Sequence, residues 1–243
     1  MSVSRTNGLV VIPALNEESS IGAVVSEIRS ARPDLDILVV DDGSRDATAK
    51  YAQSAGATVL QLPFNLGVGG AMRTGFRYAQ MKNYHHVIQV DADGQHDIAF
   101  IGTLEEPLSR VDLVVGNRFG GQGTYKVTGP RRWVMRLLAI TLSAICGARL
   151  TDTTSGFRCS GPRAISLFAL TYPSEYLGDT IESLVIGHRA GLSIEEVPVR
   201  MRERYVGRSS ASPFRATLYV GRALLILLVS VSHPSARDSQ ART

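Results

Sequence analysis

Three apolar runs frame the chain. Leu9-Val10-Val11-Ile12, Ile37-Leu38-Val39-Val40 and Val87-Ile88-Gln89-Val90 are short and mostly β-branched, and each ends abruptly in polar and turn-forming residues. Runs of this kind read as buried strands. Behind the first, a helical pattern over about 19–31 stops before Pro33, because a residue preceding proline is pushed out of the α region. Behind the second, a helix is expected over about 46–55. The glycine-rich segment from Asn65 to Ala71 reads as a loop opening a helix to about Met81, and another helix starts near Pro162. Strand, loop and helix recur in the manner of an α/β protein.

The chemistry gathers where the runs end. Asp91 and Asp93 leave the carboxyl end of the third run, and Gly94 follows as a turn residue. Residues two apart on a strand share a face, so these acids are expected to project together, about 7 Å apart. The carboxyl ends of strands are where an open α/β sheet places its ligand. Oxygen-only ligands suit Mg²⁺ or Mn²⁺ held jointly with substrate phosphates. For a lone D-x-D the alternative is an Asx-type turn, with the acids capping local amides. At the end of the second run, Asp41 and Asp42 are neighbours on a strand and face opposite ways. One is expected to enter the cleft and the other to cap the turn. Gly67-Val68-Gly69-Gly70 is not a dinucleotide fingerprint, since neither its spacing nor a following acid fits.

Taken in order, Pro13-Ala14-Leu15-Asn16-Glu17, then Val40-Asp41-Asp42-Gly43-Ser44 with Asp46 and Thr48, then Asp91-Ala92-Asp93-Gly94-Gln95-His96 resemble the inverting family 2 glycosyltransferases. More narrowly, the chain resembles the dolichol-phosphate mannose synthase and polyprenyl-phosphate glycosyltransferase branch. Asn117-Arg118-Phe119, Asp152-Thr153-Thr154-Ser155-Gly156-Phe157-Arg158 and Arg204-Tyr205-Val206-Gly207-Arg208-Ser209 extend the resemblance over about 9–212. It implies a GT-A fold, with a mostly parallel central sheet flanked by helices. It also implies one domain over 1–232, divided into a donor half of about 8–118 and an acceptor- and membrane-facing half of about 119–232, with 233–243 expected to be a disordered tail.

The implied reaction moves a sugar from a GDP- or UDP-linked donor to a polyprenyl phosphate, with inversion. By resemblance, Asp91, Asp93 and Gln95 hold the Mg²⁺ or Mn²⁺. Pro13, Ala14, Leu15, Asn16, Glu17, Asp42, Asp91, Ala92, Asp93 and Arg118 bind the nucleotide sugar. Arg131, Arg132, Ser155, Arg158, Arg204 and Ser209 bind the acceptor phosphate, and Asp91, Asp93 and Arg204 carry catalysis. A guanidinium fork suits phosphate oxygens. One departure stands out: Ser210 occupies the position where R-x-x-G-x-S-K would have its lysine, so Arg208 substitutes for that charge or the phosphate grip is weaker.

Charge sharpens this picture. The net charge is +4, yet residues 1–116 carry −5 and residues 117–243 carry +9. An acidic half joined to a basic half suits a metal–diphosphate donor facing an anionic acceptor or membrane, as would a merely solvated basic surface. The arginines are scattered, aromatic residues are 7% and no nucleic-acid module is recognisable, so no nucleic-acid partner is expected. Cys146 and Cys159 have no metal-ligand spacing, and Cys146 reads as a buried thiol in an apolar helix. With no charged-then-apolar leader, a cytoplasmic setting is expected. The apolar stretches 133–146 and 218–231 fall short of the 18 residues of a spanning helix and read as core or interfacial helices. Peripheral attachment at the cytoplasmic face, to the membrane surface or an integral partner, is the expectation.

Two other functions stay open. A relative acting on a saccharide hydroxyl would need a general base, with a carboxylate such as Asp152 or Glu182 near the acceptor. A polyprenyl phosphate, largely dianionic at neutral pH, is already a nucleophile. The other possibility is a non-catalytic nucleotide-sugar-binding subunit of a membrane assembly, which would keep the fold without needing both acids.

Overall fold

The computed structural model describes residues 7–119, 130–173 and 179–202, with the side chains of residues 130–132 and 134 outside that set. Along the chain run β1 (Gly8–Ala14), α1 (Ile21–Ala31), β2 (Asp36–Asp41), α2 (Thr48–Ser54), β3 (Thr58–Gln61), α3 (Gly67–Met81) and β4 (His86–Gln89). They are followed by α4 (Ile101–Glu105), β5 (Leu113–Asn117), α5 (Pro130–Cys146), β6 (Arg158–Ser160), α6 (Pro162–Thr171), α7 (Asp179–Arg189) and β7 (Ile194–Pro198).

The strands form one seven-stranded sheet in the order β3-β2-β1-β4-β6-β5-β7. All neighbours are parallel except β6, which runs antiparallel to both β4 and β5. The mostly parallel sheet flanked by helices is therefore as expected. Successive residues of each strand feed opposite faces, which accounts for the unbroken apolar runs. Leu9, Val11, Leu38, Val40 and Val87 pack with α3, α5, α6 and α7 residues such as Met72, Phe76, Leu142, Phe168 and Leu184. Val10, Ile12, Ile37, Val39 and Ile88 pack on the other face, with Val24, Val25 and Ile28 of α1 and with Ile101 and Leu104 of α4.

Two boundaries depart from expectation. The strand bearing the acids stops at Gln89, and the last ladder contact, Val90 N–H to the Val11 carbonyl at 3.1 Å, leaves Asp91 and Asp93 in the following turn. The glycines at 69 and 70 lie inside α3 rather than in a loop before it. A Cβ on Gly70 would sit 2.4 Å from that of Leu66, so the first turn closes only without a side chain there. Among the described residues, no helix is long and apolar enough to cross a membrane.

Gly75 sets how closely α3 lies on the sheet, since a Cβ there would meet Val11 Cγ1 at 2.4 Å. Gly75→Ala should lower unfolding free energy by about 1–3 kcal/mol, as overpacking does in a filled core. Adding Val11→Ala should return part of that loss, because the two sites share one volume. Thermal or denaturant melts of the four combinations measure this; additive effects would refute the contact.

Candidate active site

The loops after β1 and β2 meet at the carboxyl edge of the sheet and are stitched by backbone-to-side-chain hydrogen bonds. Asn16 N–H donates to Ser44 Oγ at 2.9 Å, and Arg45 N–H donates to Asn16 Oδ1 at 2.9 Å. Glu17 N–H donates to Thr48 Oγ1 at 2.8 Å, and Ala47 N–H to Glu18 Oε2 at 2.9 Å. Asn16 takes a left-handed φ of 55°, which asparagine tolerates better than most side chains. Pro13 and Ala14 end β1, with Leu15 exposed at the rim.

The two acids at the end of β2 both hold turns. Asp41 Oδ1 accepts from Ser44 N–H at 3.0 Å, while Asp42 Oδ1 accepts from Leu66 N–H at 2.7 Å. Burial raises the Asp42 carboxyl above its ordinary range, against the pull of the Leu66 and Gly67 N–H groups. β2 ends at Asp41, so strand alternation does not orient Asp42, whose carboxylate fixes the loop that opens α3.

In the loop after β4, Gly94 turns the chain at φ 77° and Asp93 Oδ1 accepts from Gln95 N–H at 3.0 Å. The Asx turn and the acid pair therefore coexist at Asp93. Strand alternation does not orient the two carboxylates, because neither residue is on the strand. They differ in exposure: Asp93 is buried, whereas the Asp91 side chain is 42% exposed. Behind Asp91 sits Gly156, whose missing Cβ would lie 3.2 Å from Asp91 Oδ1. His96 lies beneath the loop, stacked on Phe157 with ring centroids 4.6 Å apart. Burial pulls its imidazole below the ordinary range, against the nearby carboxylates of Asp91 and Asp93.

Around 151–158 the polar groups are turned inward. Asp152 is buried, and Arg118 reaches it through Nε to Oδ2 at 2.6 Å and Nη2 to Oδ1 at 2.7 Å. Arg118 also donates to Thr154 Oγ1 at 2.6 Å. Arg158 is sealed from solvent; its Nε donates to the Ser155 carbonyl at 2.8 Å, Nη1 to Ser183 Oγ at 2.8 Å, and Nη2 to the Thr180 carbonyl at 2.8 Å. Ser155, also buried, accepts Phe157 N–H at 3.3 Å. A buried guanidinium must satisfy its donors inside the protein, and those of Arg158, expected with Ser155 on the acceptor phosphate, are held by protein oxygens here. Arg131 and Arg132 fall in the first turn of α5, their side chains outside the described residues. Arg204 and Ser209 lie outside the described residues altogether.

The structure therefore brings together Asp91, Ala92, Asp93 and Gln95 on one turn, with Gly156 against it. The sequence pattern does not reveal the parts played by His96, Asp97, Arg202 and Asp179. His96 stands inside the acid-bearing motif, yet the motif gives it no role. Asp97 anchors the chain after β7 by ion pairs to Arg200 and Arg202, at 2.8 and 2.5 Å. Met201 bridges His96, and Arg202 N–H donates to the Gln95 carbonyl at 2.8 Å. Although burial alone would raise it, the two arginines hold the Asp97 carboxyl below its ordinary range. Asp179 starts α7; burial pushes its carboxyl up to about 6, against the Arg158 charge. Only contacts distant in sequence carry these signals, and no local spacing does.

An acid raised from 3.8 to about 6 on folding stabilises the native state fully below pH 4 and loses that contribution as pH climbs through 6. Across this window, wild type should lose about 3 kcal/mol of stability relative to Asp179→Asn, the free energy that corresponds to so large a rise. Urea melts at a series of pH values measure the difference, and parallel profiles would contradict it.

The chain matches the family described as "Glycosyl transferase family 2" over residues 9–169. It is 33% identical over 214 residues to the undecaprenyl-phosphate mannosyltransferase of Micrococcus luteus, covering 84% of this chain and 87% of that one. It is 30% identical over 213 residues to the polyprenol monophosphomannose synthase of Mycolicibacterium smegmatis, covering 84% and 80%. Among solved structures, glucosyl-3-phosphoglycerate synthase of Mycobacterium tuberculosis with phosphoglyceric acid matches at a TM-score of 0.70 and 25% identity, covering 94% of this chain and 81% of that one. The same enzyme with Mn²⁺ and UDP-glucose matches at 0.67 and 26%, covering 92% and 78%. The sheet and its helical layers are those of the GT-A fold, and the chain belongs to glycosyltransferase family 2.

Proposed function

We propose that the protein transfers a sugar from a nucleoside-diphosphate donor to a polyprenyl phosphate, with inversion at the anomeric carbon. The observation that carries this reading is the combination of an intact acid-bearing turn with two relatives, each 30% identical or more over 84% of the chain, named for polyprenyl-phosphate mannose transfer. Asp91, Asp93 and the Gln95 amide offer hard oxygen donors, and no group of three His, Cys, Asp or Glu competes among the described residues. Such a set fits Mg²⁺ or Mn²⁺, ions bound through one or two carboxylates completed by substrate phosphates. A divalent ion held there supplies Lewis-acid stabilisation of the departing diphosphate.

The protein's own groups do the rest. The stitched loops bearing Asn16, Glu17 and Ser44 wall the cleft in which base and ribose lie, while Asp42 holds the mouth of α3. Asp152 is buried with both oxygens bonded to Arg118, so it is not disposed to take a proton from an acceptor hydroxyl. That arrangement favours an acceptor that needs no general base, namely a phosphate oxygen. On α5, Trp133, Leu137 and Ile140 are 74, 52 and 60% exposed at spacings of four and three, beside exposed Arg136. An apolar stripe flanked by arginines suits a helix lying on an anionic bilayer surface, at the cytoplasmic face.

With a panel of labelled GDP- and UDP-sugars, polyprenyl phosphate should draw label into the organic phase, while the matching polyprenol should not. The product should carry one phosphate and no nucleotide. A pyrophosphate-linked product or a labelled saccharide would reject the reading. Asp93→Asn should cost at least about 100-fold in rate, and excess chelator should abolish turnover.

Membrane attachment is a separate test. Trp133→Glu with Leu137→Glu should release the protein from vesicles containing acidic lipids, and raised salt should weaken wild-type binding. Unchanged sedimentation of the double variant with vesicles would remove α5 from the interface.

A further inference from the structure

Both peptide groups that flank the Cα of Gln95 are pinned. Its N–H donates to Asp93 Oδ1 at 3.0 Å, and its carbonyl accepts Arg202 N–H at 2.8 Å. Two residues on, the buried Asp97 carboxylate takes the Arg202 guanidinium, with Nη2 donating to Oδ1 at 2.5 Å. Arg202 therefore grips one short turn twice, with its backbone at Gln95 and its side chain at Asp97. Met201 bridges His96 between the two grips. The other arm of the same guanidinium leaves the turn, and Nη1 donates to Glu27 Oε1 on α1 at 2.5 Å. A planar fork spans two carboxylates in a fixed geometry that a flexible ammonium does not reproduce. The turn, the chain after β7 and α1 are thus locked together at one side chain.

We infer that Arg202 is a positioning residue for Gln95, bracing the turn so that the amide is presented in one direction. This rests on the reading of Gln95 as an oxygen donor to the divalent cation. Gln95 lies past the end of β4, so no strand dictates its direction. With both flanking peptide planes held, its Cα–Cβ bond has a single direction. A neutral amide brings no charge to draw the ion in, so what it contributes depends on being held where the ion sits. The groups that orient a metal-holding side chain matter nearly as much as the side chain itself. Arg200 keeps this role separable from folding. Its Nε and Nη2 donate to Asp97 Oδ2 at 3.0 and 2.8 Å, so truncating Arg202 does not strand the buried carboxylate.

The test titrates Mn²⁺ into the full chain with UDP in one arm and GDP in the other, following free Mn²⁺ by electron paramagnetic resonance, with a thermal melt of each variant. Arg202→Met keeps the stem and the backbone N–H and removes the fork. It should melt near wild type yet bind Mn²⁺ about 10-fold more weakly, the lower end of what losing a group behind a metal-holding side chain costs. Gln95→Ala should also weaken binding. Adding Arg202→Met to it should cost nothing more, because a brace that acts through Gln95 then has nothing to position. A role in stability alone predicts a lower melting temperature with unchanged Mn²⁺ affinity. An effect not routed through Gln95 predicts additive losses. Either result overturns the inference, as does wild-type Mn²⁺ affinity in Gln95→Ala. Should the Met variant not fold, the same cycle is run with Arg202→Lys, which should bind Mn²⁺ measurably more weakly than wild type and likewise add nothing to Gln95→Ala. Asp91→Asn separates this inference from the cation site on which it rests. If that variant binds Mn²⁺ as wild type does, or if wild type binds none in either arm, the cation site itself is wrong and Arg202 falls with it. If Asp91→Asn abolishes binding while the Arg202 variants do not weaken it, only the Arg202 inference fails.

Discussion

A guanidinium sealed from water must find protein oxygens for its donors, and Arg158 finds them on separate segments of the chain. Its bonds to the Thr153 and Ser155 carbonyls curl the loop before β6 back on itself, and those to Thr180 and Ser183 tie that loop to α7. Everything on the acid-bearing side of the cleft depends on that curl. It brings Gly156 against Asp91 and lays Phe157 beneath His96. Asp179 completes the buried charge balance, with a carboxyl that ionises reluctantly. Remove the arginine and the loop loses the reason for its shape.

Much of the frame could be read from the residues. The apolar runs are buried strands because both faces of a mostly parallel sheet are covered, and α1 and α2 begin and end within about two residues of the expected bounds, whereas α3 takes in the glycines expected in the loop before it. The position of the acids at the carboxyl edge was legible too. Their orientation was not, since β4 ends one residue before its apolar run does and a turn replaces the strand geometry. The strand order was also hidden: β6 enters between β4 and β5 in the opposite sense, a pairing that no local pattern encodes.

The loop at 152–158 shows a different kind of illegibility. Hydroxyls, a glycine and an arginine in sequence describe an oxyanion cradle, and they describe equally a loop that satisfies itself. Which of the two arises depends on whether the donors face outward, and that is decided by Ser183 and Thr180, more than twenty residues along the chain. Arg118 repeats the lesson, since its fork is matched to Asp152 at bidentate distances. A short motif specifies which groups are present; the packing around it specifies their direction.

The placement of β6 has a consequence for synthesis. β4 and β5 leave the ribosome well before residues 158–160, and until those residues emerge the two strands have no partner between them. Both inner edges then expose unpaired backbone groups on apolar, β-prone segments, the condition that invites pairing with another chain. The insertion of just Arg158, Cys159 and Ser160 closes both edges at once. The residue that winds the site's loop also begins the strand that seals the sheet, so a nascent chain remains vulnerable to misassembly up to the moment its cleft takes shape.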